Sequence, residues 1–227
     1  MSNPANPNLP EQLRLGLSEL GLPLADSQQR QLLDYLALLA QWNRVYNLTA
    51  LRDPTQMLTH HILDSLAVIA PLRRYLRAGA QGRAQPPVRL LDVGSGGGLP
   101  GVVIAICQPE VAVTCVDAAA KKAAFIQQAA GVLHLPNLTG RHARVETLTG
   151  PFDIITSRAF ASLADFTSAS HNALAEGGVW LAMKGKRPDT EIAALPPSVQ
   201  VFHVEQLAVP GLDAQRCLVW LRPQGLH

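Results

Sequence analysis

The sequence predicts an α/β chain: a doubly wound, mostly parallel sheet that closes with an antiparallel hairpin and is preceded by an N-terminal helical unit. Three observations carry this. From residue 88 onward short apolar runs alternate with helix-length stretches, the grammar of parallel strands joined by crossover helices. A glycine-dense loop follows the first of those runs and opens the first helix. The last two strand-like segments are joined by too few residues for a crossover, so they must pair antiparallel.

Taking the chain in order, residues 1–10 are polar and proline-rich and read as a flexible N-terminus without the basic start and apolar core of a signal peptide. Residues 11–77 form the helical unit. Within it, 11–43 holds two helices; in the second, Leu32, Leu36, Leu39 and Trp42 recur at spacings of four and three, and Asp26 or Ser27 can cap it. Residues 43–52 break the period, and 54–76 reads as a third helix carrying Met57, His61, Leu63, Leu66 and Ile69. A Gly/Ala/Gln/Pro-rich connector occupies 78–87.

Residues 88–227 form the sheet domain. Strands are predicted at 88–93, 111–116, 141–146, 152–156 and 178–183, with helices at 100–106, 118–130 and 163–174 between them. The hairpin strands are 199–209 and 216–221. A chain of 227 residues that is 48% apolar can bury one substantial core. Its three cysteines make no paired motif, so neither a disulfide framework nor a metal site is expected. No apolar run approaches the roughly 18 residues of a membrane span; the expectation is a soluble, cytoplasmic protein that binds no membrane. A net charge of +2 says little about partners. Distribution says more: between Asp64 and Asp92 there is no acidic residue, while Arg73, Arg74, Arg77, Arg83 and Arg89 fall in that interval. Such a stretch suits either phosphate contact or a solvated surface.

The chemistry gathers at the strand ends. Gly96, Gly98 and Gly101 satisfy GxGxxG directly after a strand, and Gly94 adds another site where backbone turns without a side chain. Asp117 ends the next strand, where a carboxylate either accepts from the ribose hydroxyls of a nucleoside cofactor or caps the following helix. Asp92 separates the cofactor classes. A pyrophosphate would meet an unfavourable carboxylate there, whereas S-adenosylmethionine brings an ammonium and a sulfonium that negative potential attracts. No Gly-Lys-Ser or Gly-Lys-Thr closes the loop, which excludes a Walker motif. Further strand ends supply Val145 and Glu146 for an adenine, Arg158 for a carboxylate or an RNA phosphate, and Lys184 for a similar anion. Phe160 suits core packing better than base stacking. In the helical unit, Asn47 and Thr49 beside Tyr46 have groups suited to RNA, while His60, His61 and Asp64 lie within about one turn.

These stretches together resemble the bacterial small-subunit ribosomal RNA methyltransferase G family, also described as glucose-inhibited division protein B. The matching words are Trp42-Asn43-Arg44-Val45-Tyr46-Asn47-Leu48-Thr49, His60-His61-Ile62-Leu63-Asp64-Ser65-Leu66, the glycine loop, Ser157-Arg158-Ala159-Phe160-Ala161-Ser162-Leu163, Met183-Lys184-Gly185 and Val209-Pro210-Gly211-Leu212-Asp213. The resemblance implies a Rossmann-like class I methyltransferase sheet and transfer of a methyl group from S-adenosylmethionine to N7 of one guanine in the 530 loop of 16S ribosomal RNA. The substrate would be held within a small ribosomal subunit particle, without an obligate protein partner. It places cofactor contacts on Gly94, Leu99, Val145, Glu146 and Arg158, with Asp117 at the ribose; Asp92 and Gly96 complete the cofactor set. Asn47, Asp64, Arg158 and Lys184 form the expected substrate set. Two departures stand out: Gly96-Gly97-Gly98 where a proline is common in the middle, and Ala118-Ala119-Ala120 after Asp117. Guanine N7 has a free lone pair at neutral pH, so no general base and no catalytic residue is assigned; Glu146 and Asp64 are both candidates to stabilise the charge that develops on the ring.

Overall fold

The computed structural model describes residues 8–79, 87–158 and 160–225. Residues 1–7, and residues 80–86 of the expected connector with Arg83, lie outside the described residues. A seven-stranded sheet of order β3-β2-β1-β4-β5-β7-β6 runs through the molecule. Strands β1 (Arg89–Val93), β2 (Ala112–Asp117), β3 (Leu138–His142), β4 (Phe152–Ser157) and β5 (Leu174–Lys184) pair in parallel, and β6 (Val199–Leu207) and β7 (Arg216–Pro223) add the antiparallel hairpin.

The central strands β1, β4, β5 and β7 are largely apolar because both faces are covered there, while the outer strands β3 and β6 are more polar and more exposed. Leu90, Ile154, Leu181 and Leu218 pack on one face; Leu91, Ile155, Trp180 and Val219 alternate onto the other. Helices α6 (Gly101–Cys107) and α7 (Ala120–Val132) cover the first face, and α8 (Leu163–Ser170) contributes Leu163 and Phe166 to the second. A short helix, α9 (Asp189–Ala193), follows β5.

The N-terminal helices enclose no separate core. Leu13 of α1 (Leu9–Glu19), Leu32, Leu36 and Leu39 of α2 (Asp26–Tyr46), and Ile62 and Leu66 join the same cluster as Val102, Ile106 and Leu181. Helix α1 starts at Leu9, inside the stretch expected to be flexible. Helix α2 is preceded by Ala25, not by a capping Asp26 or Ser27. Gln28 Oε1 accepts from the Ala25 N–H (3.1 Å), and its Nε2 donates to the Ile106 carbonyl (2.8 Å), tying the helix start to α6.

The third helical stretch is broken into α3 (Pro54–Met57), a π-turn at Leu58–Leu63, α4 (Asp64–Leu66) and α5 (Ile69–Gly79). A π-turn inserts one residue into the helical ladder and frees a carbonyl for other donors.

Two elements of the sheet domain also differ from expectation. The third strand is Leu138–His142, and Val145–Thr147 forms a single 3-10 turn beyond it. Residues 171–173 leave the α-helix, and β5 starts at Leu174, earlier than the expected 178. Three arginines of the stretch have partners within the chain, although Arg74, Arg77 and Arg89 are exposed. Arg73 donates to Gln108 Oε1 (2.8 Å) and the Cys107 carbonyl (3.2 Å), Arg74 pairs with Glu205, and Arg89 lies 5.2 Å from the Phe152 ring centroid. Among the described residues no helix is long and apolar enough to cross a membrane.

Candidate functional site

The loop between β1 and α6 is wound tightly on itself. Gly98 and Leu99 N–H groups donate to the Ser95 carbonyl at 2.8 and 3.0 Å, and the Ser95 N–H donates to Val116 at the end of β2 (3.2 Å). Gly94, at φ +64, has nothing within 4 Å of the place a Cβ would occupy, so the loop opens to solvent there. Gly101 shows the opposite need: a Cβ would strike Cys115 Sγ and lie 2.8 Å from Asp92 Oδ2. Leu99 is buried in the core below the loop.

Two carboxylates brace this loop. Asp117 is held from two sides: Oδ1 accepts from the Ala119 N–H (2.9 Å) at the start of α7, the helix-end role of the two that the sequence left open, and Oδ2 accepts from the Gly96 N–H (3.0 Å) of the loop. Lys122 Nζ lies 3.4 Å from Oδ2. A carboxylate offers roughly four acceptor positions, which leaves room for a ligand hydroxyl. Asp92 is fully buried beneath the loop; Oδ2 accepts from the Gly101 N–H (2.8 Å), and Oδ1 has no partner. Burial pushes its carboxyl up to about 7, against the opposing pull of the Gly101 N–H and the Arg158 charge. An orphaned buried acceptor beside an open, side-chain-free cradle fits a ligand that carries hydrogen-bond donors and positive charge.

Helix α2 locks the loop from the other side. The Tyr35 hydroxyl, fully buried, donates to the Gly97 carbonyl (2.5 Å), and a Cβ at Gly97 would lie 2.9 Å from Leu39. The only sign of Tyr35 in the sequence is its place inside the Leu32–Leu39 stripe, where a buried tyrosine needs a partner for its hydroxyl.

Next to the loop, beyond the ends of β4 and β5, lies a cleft of about 440 Å³ between sheet and N-terminal helices. Arg158 follows β4 and reaches across it: Nη1 donates to the His60 carbonyl (3.0 Å) in the π-turn and to Asp64 Oδ2 (3.3 Å). Arg216, at the start of β7, donates from Nε to Asp64 Oδ1 (2.8 Å). Asp64 is 3% exposed, and each of its oxygens accepts from one guanidinium group. His61 is also buried. Its Nε2 lies 2.6 Å from Thr49 Oγ1 and its Nδ1 3.1 Å from the His60 carbonyl. Burial and then the Arg158 charge lower it to about 4, so the ring is neutral at physiological pH. Lys184 lines the same cleft and pairs with Glu191 (2.8 Å).

The remaining expected residues sit apart. Asn47 is an exposed left-handed residue (φ 49) that ends α2 and accepts from Arg52 (3.0 Å). The loop it begins is pinned by buried Asn43, which donates to the Leu51 carbonyl and accepts from the Thr49 N–H, both at 2.8 Å. Val145 is buried and Glu146 exposed on the 3-10 turn past β3, one step beyond the strand end expected for them. Phe160 packs against Phe166, with centroids 5.5 Å apart. Arg216 carried no sequence signal beyond a charge at the start of the final strand.

A glycine loop after the first strand, an acidic residue ending the second, and a parallel sheet closed by an antiparallel hairpin define a class I S-adenosylmethionine-dependent methyltransferase fold. A crystal structure of TrmN from Thermus thermophilus superposes with a TM-score of 0.53 at 19% identity, covering 74% of this chain and 53% of that one, so the chain spans about half that protein's length. A SAM-dependent methyltransferase from Aquifex aeolicus superposes with a TM-score of 0.51 at 13% identity over 74% of this chain and 98% of its own. The chain belongs to the GidB family, rRNA small subunit methyltransferase G, whose model matches residues 28–219. Relatives of the same description include the "Ribosomal RNA small subunit methyltransferase G" proteins of Acidovorax sp. (strain JS42) and Polaromonas sp. (strain JS666). The first is 66% identical over 224 residues, 98% of this chain and 99% of the relative. The second is 67% identical over 212 residues, 93% and 92% respectively.

Proposed function

We propose that this protein transfers a methyl group from S-adenosylmethionine to N7 of a single guanine in the 530 loop of 16S ribosomal RNA, acting in the cytoplasm on a small-subunit particle without an obligate protein partner. One observation carries the reading beyond family membership: the open glycine loop and the basic cleft share a rim of the sheet, and Arg158 between them is close enough for its charge to act on Asp92.

The cofactor would be held by Asp92, Gly94, Gly96 and Leu99 on the loop, by Asp117 at its ribose, by Val145 and Glu146 at its adenine, and by Arg158 at its carboxylate end. When bound, it supplies an electrophilic methyl group on a positively charged sulfur. Asn47, Asp64, Arg158 and Lys184 form the substrate side. Attack by N7 removes no proton, so the work left to this chain is positioning and exclusion of water. The cleft is suited to that: His61 is neutral with both ring nitrogens engaged, and Asp64 is held by two arginines. Of the two acids considered for stabilising the methylated ring, Glu146 is the one with an exposed side chain.

Labelled S-adenosylmethionine supplied with small-subunit particles and, separately, with free 16S RNA, followed by mapping of the modified base, tests this reading. Incorporation at one 7-methylguanine is expected. Cofactor binding without incorporation into either substrate would refute it.

A further inference from the structure

Asp64, Arg158 and Arg216 form a triad in which one buried carboxylate faces two guanidinium groups. Arg158 arrives from β4, Arg216 from β7, and Asp64 from the helical segment that follows the π-turn, so three separate elements converge on one point. Side-chain exposures of 23% and 25% for the arginines and 4% for the aspartate put the pairs out of bulk solvent yet open to the cleft. Lys184 leaves the balance unchanged, because Glu191 already pairs with it. The triad therefore carries a surplus positive charge in a half-enclosed site, where an uncompensated charge is unfavourable and an incoming anion is attracted strongly.

We propose that this triad is a receptor for a backbone phosphate of the RNA, with Arg216 as a phosphate-contacting residue and Asp64 as the positioning residue that fixes the direction of both guanidinium forks. The inference rests on the methyltransferase reading above. Position selects RNA over the cofactor's own carboxylate as the anion for Arg216. Counting along the order β1-β4-β5-β7, Arg216 lies three strands from the glycine loop, about 14 Å at normal strand spacing. Its Nε is committed to Asp64 and one N–H of Nη1 to the Gln215 carbonyl (2.9 Å), and both N–H groups of Nη2 remain among the donors for a phosphate oxygen.

The test compares the wild-type protein with Arg216→Gln, Arg216→Lys and Asp64→Asn. Binding to small-subunit particles is measured as a function of salt, S-adenosylmethionine binding by calorimetry, and folding by circular dichroism. Loss of one phosphate contact in Arg216→Gln lowers the slope of log affinity against log salt by about 0.7–0.9, so affinity lost between about 50 and about 200 mM salt shrinks about threefold. Cofactor affinity stays at the wild-type value, and Arg216→Lys restores the salt slope. Asp64→Asn adds net positive charge to the cleft: particle affinity is kept or raised, with a steeper salt slope, while kcat falls at least tenfold. A purely structural Asp64 would instead lose affinity and stability together, which overturns the positioning role. An unchanged salt slope in folded Arg216→Gln, or weakened cofactor binding in its place, overturns the phosphate assignment. A wild-type protein that methylates neither substrate defeats the underlying reading instead, and the two failures are distinguishable.

Discussion

Replacing Asp92 with asparagine should unmask a pH dependence that two buried groups conceal between them. Burial raises the Asp92 carboxyl from 3.8 to about 7. An unfolded chain releases that proton near 3.8, the folded chain only near 7, so within that window the folded state holds the extra proton and stability falls as pH rises. At about 1.4 kcal/mol for each pH unit separating the two values, the loss reaches about 4 kcal/mol by pH 7. His61 acts in the other direction. Its ring is lowered from 6.5 to about 4, so in this range the unfolded chain binds a proton that the folded chain refuses. Stability is then lost as pH drops, by about 3 kcal/mol over the same window. In the wild type the two slopes nearly cancel between about pH 4 and about pH 6.5. Asp92→Asn leaves the histidine alone to act, and its stability should climb with pH by about 3 kcal/mol; His61→Gln should show the reverse slope. Denaturant unfolding at half-unit pH steps reads both. A wild-type minus Asp92→Asn difference that stays constant from pH 4 to pH 7 would refute the argument, because it would mean that Asp92 does not change its protonation on folding in that range.

Tyr35→Phe removes the buried bond to the Gly97 carbonyl and should cost about 1–3 kcal/mol in denaturant unfolding, with cofactor affinity reduced as the loop loosens; wild-type stability in the variant would deny the clamp. Asp117→Ala leaves the Gly96 and Ala119 N–H groups without their acceptor and should weaken S-adenosylmethionine binding at least about tenfold by calorimetry; unchanged binding removes the ribose role. Gly98→Ala puts a side chain at φ +87 and into Val102, for which a loss of about 1–3 kcal/mol is expected together with loss of cofactor binding; a thermal melt matching wild type would show that the loop yields freely.

Much of the architecture was legible because its signals are local. The strand before the glycine loop, the acid ending β2 and the short hairpin connection all lie within a few residues of what they specify. The third strand was misplaced for a physical reason. The strand expected at 141–146 starts three residues earlier and includes Gly140, which lets α7 lie close: a Cβ there would sit 2.7 Å from the Ala123 carbonyl and 3.0 Å from the Gln127 amide nitrogen. Val145 and Glu146, taken for the strand end, are the turn beyond it. Tyr35 and Arg216 were harder still, since their partners are 62 and 152 residues away in the chain and no periodicity records such a pairing.

The site is nevertheless marked by what the fold leaves unfinished. Among the described residues, three buried side-chain polar atoms have no hydrogen-bond partner: Ser65 Oγ, Asp92 Oδ1 and Ser157 Oγ. Ser65 follows the aspartate that holds both arginines, Asp92 lies beneath the glycine loop, and Ser157 precedes Arg158. Orphaned groups of this kind lower stability and are uncommon in a well-packed interior. Between the N-terminal helices and the sheet, Leu39, Ile62 and Leu181 are fully buried. Unmet polar atoms, a carboxyl shifted to about 7 and a surplus guanidinium thus gather around one rim of the sheet, where a bound ligand would supply the missing partners. On this argument the stability gained when cofactor binds should exceed what its contacts with a fully satisfied site would give, and Asp92→Asn, by removing the costliest of these groups, should raise the stability of the free protein at pH 7 while reducing that gain.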